Sequence, residues 1–172
     1  MDRAAAAFDQ AAKAAPSDPR IANGRALTAL EMGAPAAKLF GRARSLAPED
    51  LHVRLNHAVA LDAEGDLAAA SDLLETALAR QPGWIAGHEA LSAMRRAAGA
   101  ADYDASFKKA GAAAPSDMAL HLAWYRTMFR AHRWDEAKAI IAGLRSRLGD
   151  LPELDAAEAH IASETGDHDR AQ

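Results

Sequence analysis

The stretch 36-AAKLFGRARSLAPED-50 decides the fold. Ala36, Phe40 and Ala43 stand four and three residues apart, so they share one face of a helix, and Pro48 stops that helix because proline cannot continue its interior. A small residue lets a neighbouring helix approach, and the large one a turn later fills the space beside it. The pattern recurs as Ala4, Phe8, Ala11, Pro16; as Ala70, Leu74, Ala77, Pro82; as Tyr103, Phe107, Ala110, Pro115; and as Ala137, Ile141, Leu144, Gly149. Pro16, Pro48, Pro82 and Pro115 thus recur with a nearly constant period.

A second set of marks lies midway between them. Gly33, Gly65, Gly99, His132 and Gly166 keep the same period. Glycine closes a helix by taking the left-handed conformation without a Cβ clash. After three of the prolines comes an aspartate (Asp18, Asp50, Asp117) able to accept hydrogen bonds from the next helix's free N–H groups. Each unit therefore reads as proline and cap, helix A, glycine, helix B, with helices of about 12–15 residues.

Composition agrees. About a quarter of the 172 residues are Ala, whereas Val occurs only at Val53 and Val59, which favours helices over strands. The net charge of -4 argues against nucleic acid as the main partner, since phosphate binding needs a concentrated basic face. There is no cysteine, hence no disulfide or thiolate chemistry. The first residues, MDRAAAAFDQ, lack the apolar core of a signal peptide, and no apolar run approaches the ~20 residues that span a bilayer. No membrane association and a cytoplasmic location are expected.

The period, the Ala-x3-Phe step and the closing proline resemble the tetratricopeptide repeat (TPR) family across essentially the whole chain. That resemblance implies an all-α fold, a right-handed α-α superhelix of antiparallel helix pairs, as one array over 1–172. Its units would be 1–16 (helix B only), 17–48, 49–82, 83–115, 116–149 and 150–172 (partial). Helix A departs from the family. Where TPRs prefer Trp, Leu-Gly and Tyr, this chain has Arg54, His57-Ala58 and Leu61; then His88, Leu91-Ser92 and Arg95; then His121, Trp124-Tyr125 and Met128.

The resemblance further implies a non-catalytic scaffold whose A helices line a concave face holding a peptide or a partner domain. By helical phase, the groove residues are Asn23, His52, Leu55, Asn56, Val59, Glu89, Arg96, Leu122, Arg126, Phe129 and Arg130. The family's dicarboxylate clamp is absent. Its places hold Asn23, Leu27, Asn56, Ala86 and Ala90, of which only Asn56 matches. The Arg96–Arg126–Arg130 end is basic, and Arg pairs with carboxylates through its planar fork, so an acidic and apolar segment is the expected ligand, with Phe129 as apolar anchor.

No catalytic, cofactor-binding or metal-binding residues are expected. There is no H-E-x-x-H, and the lone pair Glu49 and His52 fits a helix start capped by Glu49 better than a metal site. His88 and His121 occupy equivalent repeat positions and read as packing residues. Trp134 also reads as packing, and Trp84 as a staple against His88 or Ala90. The glycines are scattered singly, so there is no phosphate loop.

Both ends fall inside a repeat. The chain opens on a helix B, and 164-ETGDHDRAQ-172 reads as the turn from a helix A (about Glu153 to Thr165) into another helix B, with Asp167 as its cap and Ala171 where Ala70 and Ala137 stand. The last helix A offers Leu154, Ala157 and Ile161, with no capping helix on its far side. A piece of a longer protein is expected, with end-to-end self-association as a further expectation. The alternative is a regulatory or substrate-docking arm of a larger bacterial enzyme, because the chain resembles in style TPR regions ahead of sulfotransferase-like or 2-oxoglutarate oxygenase-like domains.

Overall fold

A computed structural model describes residues 2–166. Among these the fold is all-α, in ten helices: α1 (Asp2–Ala14), α2 (Pro19–Glu31), α3 (Ala37–Leu46), α4 (Leu51–Ala63), α5 (Leu67–Arg80), α6 (Ile85–Ala97), α7 (Ala105–Ala113), α8 (Met118–Arg130), α9 (Trp134–Leu148) and α10 (Pro152–Thr165). The chain divides into two compact units, Met1–Gln81 with α1–α5 and Pro82–Gln172 with α6–α10. In each, every helix packs on the next; α2 also packs on α4, and α6 on α8. Short turns make successive helices antiparallel, so the A helices are α2, α4, α6, α8 and α10. Asp167 and Ala171 lie outside the described residues.

The helix ends follow the expected chemistry. Asp18, Asp50 and Asp117 are N-caps: their carboxylates accept from Arg20 N at 2.8 Å, from His52 N and Val53 N at 2.8 and 3.1 Å, and from Leu120 N at 3.0 Å. The Arg20 side chain also hydrogen-bonds Asp18, which holds that carboxyl at about 2. The expectation that Glu49 caps α4 is corrected. Asp50, directly before the first helical residue, has the reach, and the exposed Glu49 sits 3.6 Å from Arg80.

Four A helices close in one way. Gly33, Gly65, Gly99 and His132 take positive φ of 70°, 87°, 80° and 56°. The next residue's N–H then reaches back five residues, from Ala34 to Ala29, Asp66 to Leu61, Ala100 to Arg95 and Arg133 to Met128, at 2.9–3.0 Å. His132 performs a glycine's task with a side chain attached.

The B-helix face forms the core. Phe40, Leu74, Phe107 and Ile141 are fully buried, and their small companions Ala36, Ala43, Ala70, Ala77, Ala110 and Ala137 are buried too. Two B helices are shorter than expected: α3 has 10 residues and α7 has 9. In α3, Pro35 keeps the preceding residues out of the helix, and the new N-terminus is capped from another repeat. Glu64 Oε1 accepts from both Ala36 N and Ala37 N at 2.7 Å. We expect Glu64→Ala to cost about 1 kcal/mol, typical for a lost cap, read as a lower urea midpoint at unchanged slope.

Of the family's Trp positions in α2, α4, α6 and α8, the first holds Ala22 and the other three hold buried polar groups. Arg54, His88 and His121 are 7%, 2% and 6% exposed. Arg54 donates to Pro48 O at 2.6 Å, His88 Nε2–H to Pro82 O at 2.8 Å, and His121 Nδ1–H to Asp117 O at 2.8 Å. In these three cases an A helix satisfies a carbonyl that lies just before its own first residue, which is what a buried polar group requires.

Burial pushes the pKa of His88 down. It does the same for His57, aided by the charge of Arg44. Unfolded, both return to the ordinary value of 6.5. Their contribution is complete above that value and is lost as pH falls through the folded one. Urea midpoints should therefore drop as pH falls below 6.5, and the H57Q/H88Q variant should show a flatter profile.

The Trp84 indole covers Gly87: a Cβ on Gly87 would collide with the ring, so the missing side chain is what admits it. One further expectation is corrected. Leu154, Ala157 and Ile161 are at most 6% exposed and belong to a core cluster with residues of α8 and α9, so they face inward. The opposite side of α10 carries exposed Ala156, Ala159 and Ser163.

Candidate functional site

The expected groove residues divide between the two units. In Met1–Gln81, Asn23 lies on α2, and His52, Leu55, Asn56 and Val59 on α4. His52, Asn56 and Val59 are four and three residues apart, hence on one helix face. His52 and Val59 are exposed; Leu55, Asn56 and Asn23 are half-buried. Asn56 Nδ2 donates to Asn23 Oδ1 at 3.4 Å, so these two asparagines are brought together across adjacent A helices.

In Pro82–Gln172, Glu89 and Arg96 lie on α6, and Leu122, Arg126, Phe129 and Arg130 on α8. Arg96, Arg126 and Arg130 are exposed, while Glu89, Leu122 and Phe129 are half-buried. Arg126 and Arg130 are one helical turn apart, with Phe129 on the same side. Arg130 stands one repeat after Arg96.

Other arginines of this unit are tied down. Arg133 pairs with Glu136 at 2.6 Å and Asp104 at 3.6 Å, and Arg145 pairs with Asp150, Asp155 and Glu158. The side chains of Arg96, Arg126 and Arg130 make no hydrogen bond or ion pair with the described residues, Glu89 included.

Phe129 does not stand open as an apolar anchor. Its ring centroid is 4.1 Å from His160, 5.0 Å from Trp134 and 5.7 Å from Tyr125. His160 is exposed on α10, and its place was legible: it follows Arg126 by one repeat, so the groove phase carried one step further reaches it. The exposed His132 sets its ring edge-on to Trp134 at 5.1 Å.

Sequence reasoning missed one cluster altogether. Asp104 is 1% exposed, accepts from Trp124 Nε1 at 3.0 Å, and lies 3.1 Å from Lys108 Nζ. Arg133 lies 3.6 Å from the same carboxylate and 5.4 Å from the centre of the Tyr103 ring. Oppositely charged partners and an indole donor account for the buried acid, so the cluster is structural. Among the described residues no three His, Asp or Glu side chains are grouped to hold a metal ion, and no helix is long and apolar enough to cross a membrane.

A tetratricopeptide repeat family model matches residues 34–95. No curated protein matches the chain. Among solved structures, the chain is similar to TTC0263, a TPR protein of Thermus thermophilus, at 24% identity and TM-score 0.55, covering 95% of this chain and 90% of that one. It is also similar to YrrB, described as a TPR protein with an unusual peptide-binding site, at 14% identity and TM-score 0.53, with 98% and 88% covered. The human IFIT1 dimer with m7Gppp-AAAA matches at 20% identity and TM-score 0.51 over 99% of this chain, which spans only 43% of the IFIT1 chain. At such identities the likeness speaks for the fold.

Proposed function

We propose that the chain, whose residues 34–95 match a tetratricopeptide repeat family model and whose fold is that of TPR proteins, serves as a non-catalytic scaffold, holding a protein or peptide segment on the exposed faces of its A helices. One observation carries the reading: Arg96, Arg126 and Arg130 stand exposed and unpaired among the described residues, on two A helices packed together. A carboxylate-rich segment would complete them, since Arg binds carboxylates in bidentate fashion. The Asn23–Asn56 pair, with His52, Leu55 and Val59 on the same helices, is a second contact region, suited to backbone amides rather than charge. A peptide-binding site in the structurally similar YrrB supports the class of ligand. With Phe129 already covered by rings of its own unit, the basic end favours acidic over apolar contacts.

The test is fluorescence anisotropy with a fluorescein-labelled peptide of alternating Glu and Ala. The double charge reversal R126E/R130E should weaken binding at least tenfold, as expected when like charges replace charge-assisted hydrogen bonds. Unchanged affinity would overturn the reading. So would equal or tighter binding of a single-stranded RNA oligonucleotide, which would point to phosphate rather than carboxylate recognition.

A further inference from the structure

His132 breaks the rule that its own chain follows. The helix-closing positions Gly33, Gly65, Gly99 and Gly166 have φ between 70° and 87°, whereas position 132 carries an imidazole at φ 56°. Among the described residues it is the non-glycine residue with positive φ. A side chain held in the left-handed region is disfavoured relative to glycine, and such an outlier points towards a use for the side chain. The backbone there does nothing that the glycines do not do elsewhere: Arg133 N still bonds Met128 O at 3.0 Å. What differs is the exposed ring, edge-on to Trp134 at 5.1 Å.

His160 meets the same aromatic pair at its other ring, Phe129. It is exposed on α10, lies 4.1 Å from the Phe129 ring, and repeats the phase of Arg126 one repeat later. Phe129 and Trp134 contact each other at 5.0 Å, so the order His132, Trp134, Phe129, His160 is a continuous chain of rings with an imidazole at each end. Phe129 sits on α8 between Arg126 and Arg130. The neighbouring cation Arg133 is occupied by Glu136 and Asp104, whereas Arg126 and Arg130, on the same helix as Phe129, are exposed and unpaired among the described residues.

Resting on the acidic-segment reading above, we propose that His132 and His160 are contact residues of that same surface, each donating an imidazole N–H to a carboxylate of the segment gripped by Arg126 and Arg130. The aromatic pair beneath them is a rigid platform that fixes the two imidazoles rather than a pocket for the ligand's apolar groups.

Anisotropy with the same Glu/Ala peptide, paired with thermal unfolding, tests this on H132G, H160A and R126E/R130E. H132G should bind at least about tenfold more weakly, the worth of one hydrogen bond to a charged group, while its Tm stays equal or rises because glycine is the preferred residue there. H160A should lose a similar factor without loss of Tm, since Ala suits an exposed helix position. If H132G and H160A bind as the parent does while R126E/R130E fails, the histidine assignment falls and the arginine reading stands. If all three bind as the parent does, both fall. A marked drop in Tm for H132G would show that the ring is kept for its contact with Trp134, which also overturns the assignment.

Discussion

Phe107→Ala should cost about 3–5 kcal/mol of unfolding free energy, the range for truncating a buried aromatic whose site cannot collapse. Phe107 is fully buried among Ala110, Leu120 and Ala123, with Ile85 and Trp124 packed against the same cluster. Its ring also stacks on His88 at 4.9 Å. It therefore touches α6 and α8 from α7, and the short α7 has little other bulk to offer. Alanine neighbours cannot extend into the space left behind, so the cavity persists. Phe107→Leu, which keeps most of the volume, should cost less than about 1.5 kcal/mol. The same repeat position in the first unit gives an internal control. Phe8 is only half-buried, its ring lying over Gly24, so Phe8→Ala should cost clearly less. Urea unfolding followed by circular dichroism measures all three; an equal loss for Phe8→Ala and Phe107→Ala would contradict the repeat packing described above.

Asp104→Ala should cost about 2–3 kcal/mol, mostly because it leaves the Trp124 indole N–H without its acceptor. The ion-pair share is smaller. Lys108 and Arg133 are 50% and 27% exposed, so both cations can turn to water once the carboxylate is gone, and a pair screened by solvent is worth little. Asp104→Asn keeps an acceptor for the indole and should cost about half as much. Tryptophan fluorescence should change with Asp104→Ala and change less with Asp104→Asn. If the two variants were equally destabilised, charge rather than the indole hydrogen bond would be the main term.

These two residues also mark how far the sequence could be read. Phe107 was legible, because the step from Tyr103 to Phe107 to Ala110 repeats one seen in four other places, and periodicity is what burial imprints on a helix. Asp104 was not. Its partners Trp124 and Arg133 come from α8 and from the turn beyond it, and a single acid beside a turn leaves no periodic trace. The shortening of α3 escaped for a related reason, since its cap Glu64 belongs to another repeat. Asp18, Asp50 and Asp117 could be placed from the residues around them because N-capping is local, and Glu49 was misplaced by a single residue.

The candidate surface was legible in phase but not in occupancy. Helical phase put Arg96, Arg126 and Arg130 together and, continued by one repeat, leads to His160. It could not show that Phe129 is already covered by His160 and Trp134. That contact depends on three elements meeting, and it moves the reading from an acidic and apolar ligand to an acidic one.

The most direct test of the central claim is a charge-swap titration: parent and R126E/R130E, each against the Glu/Ala peptide and against its Lys/Ala counterpart. The parent should bind the Glu peptide and not the Lys peptide, the variant should reverse this preference, and both preferences should weaken as salt is raised. Binding of both peptides by both proteins with equal affinity would contradict it.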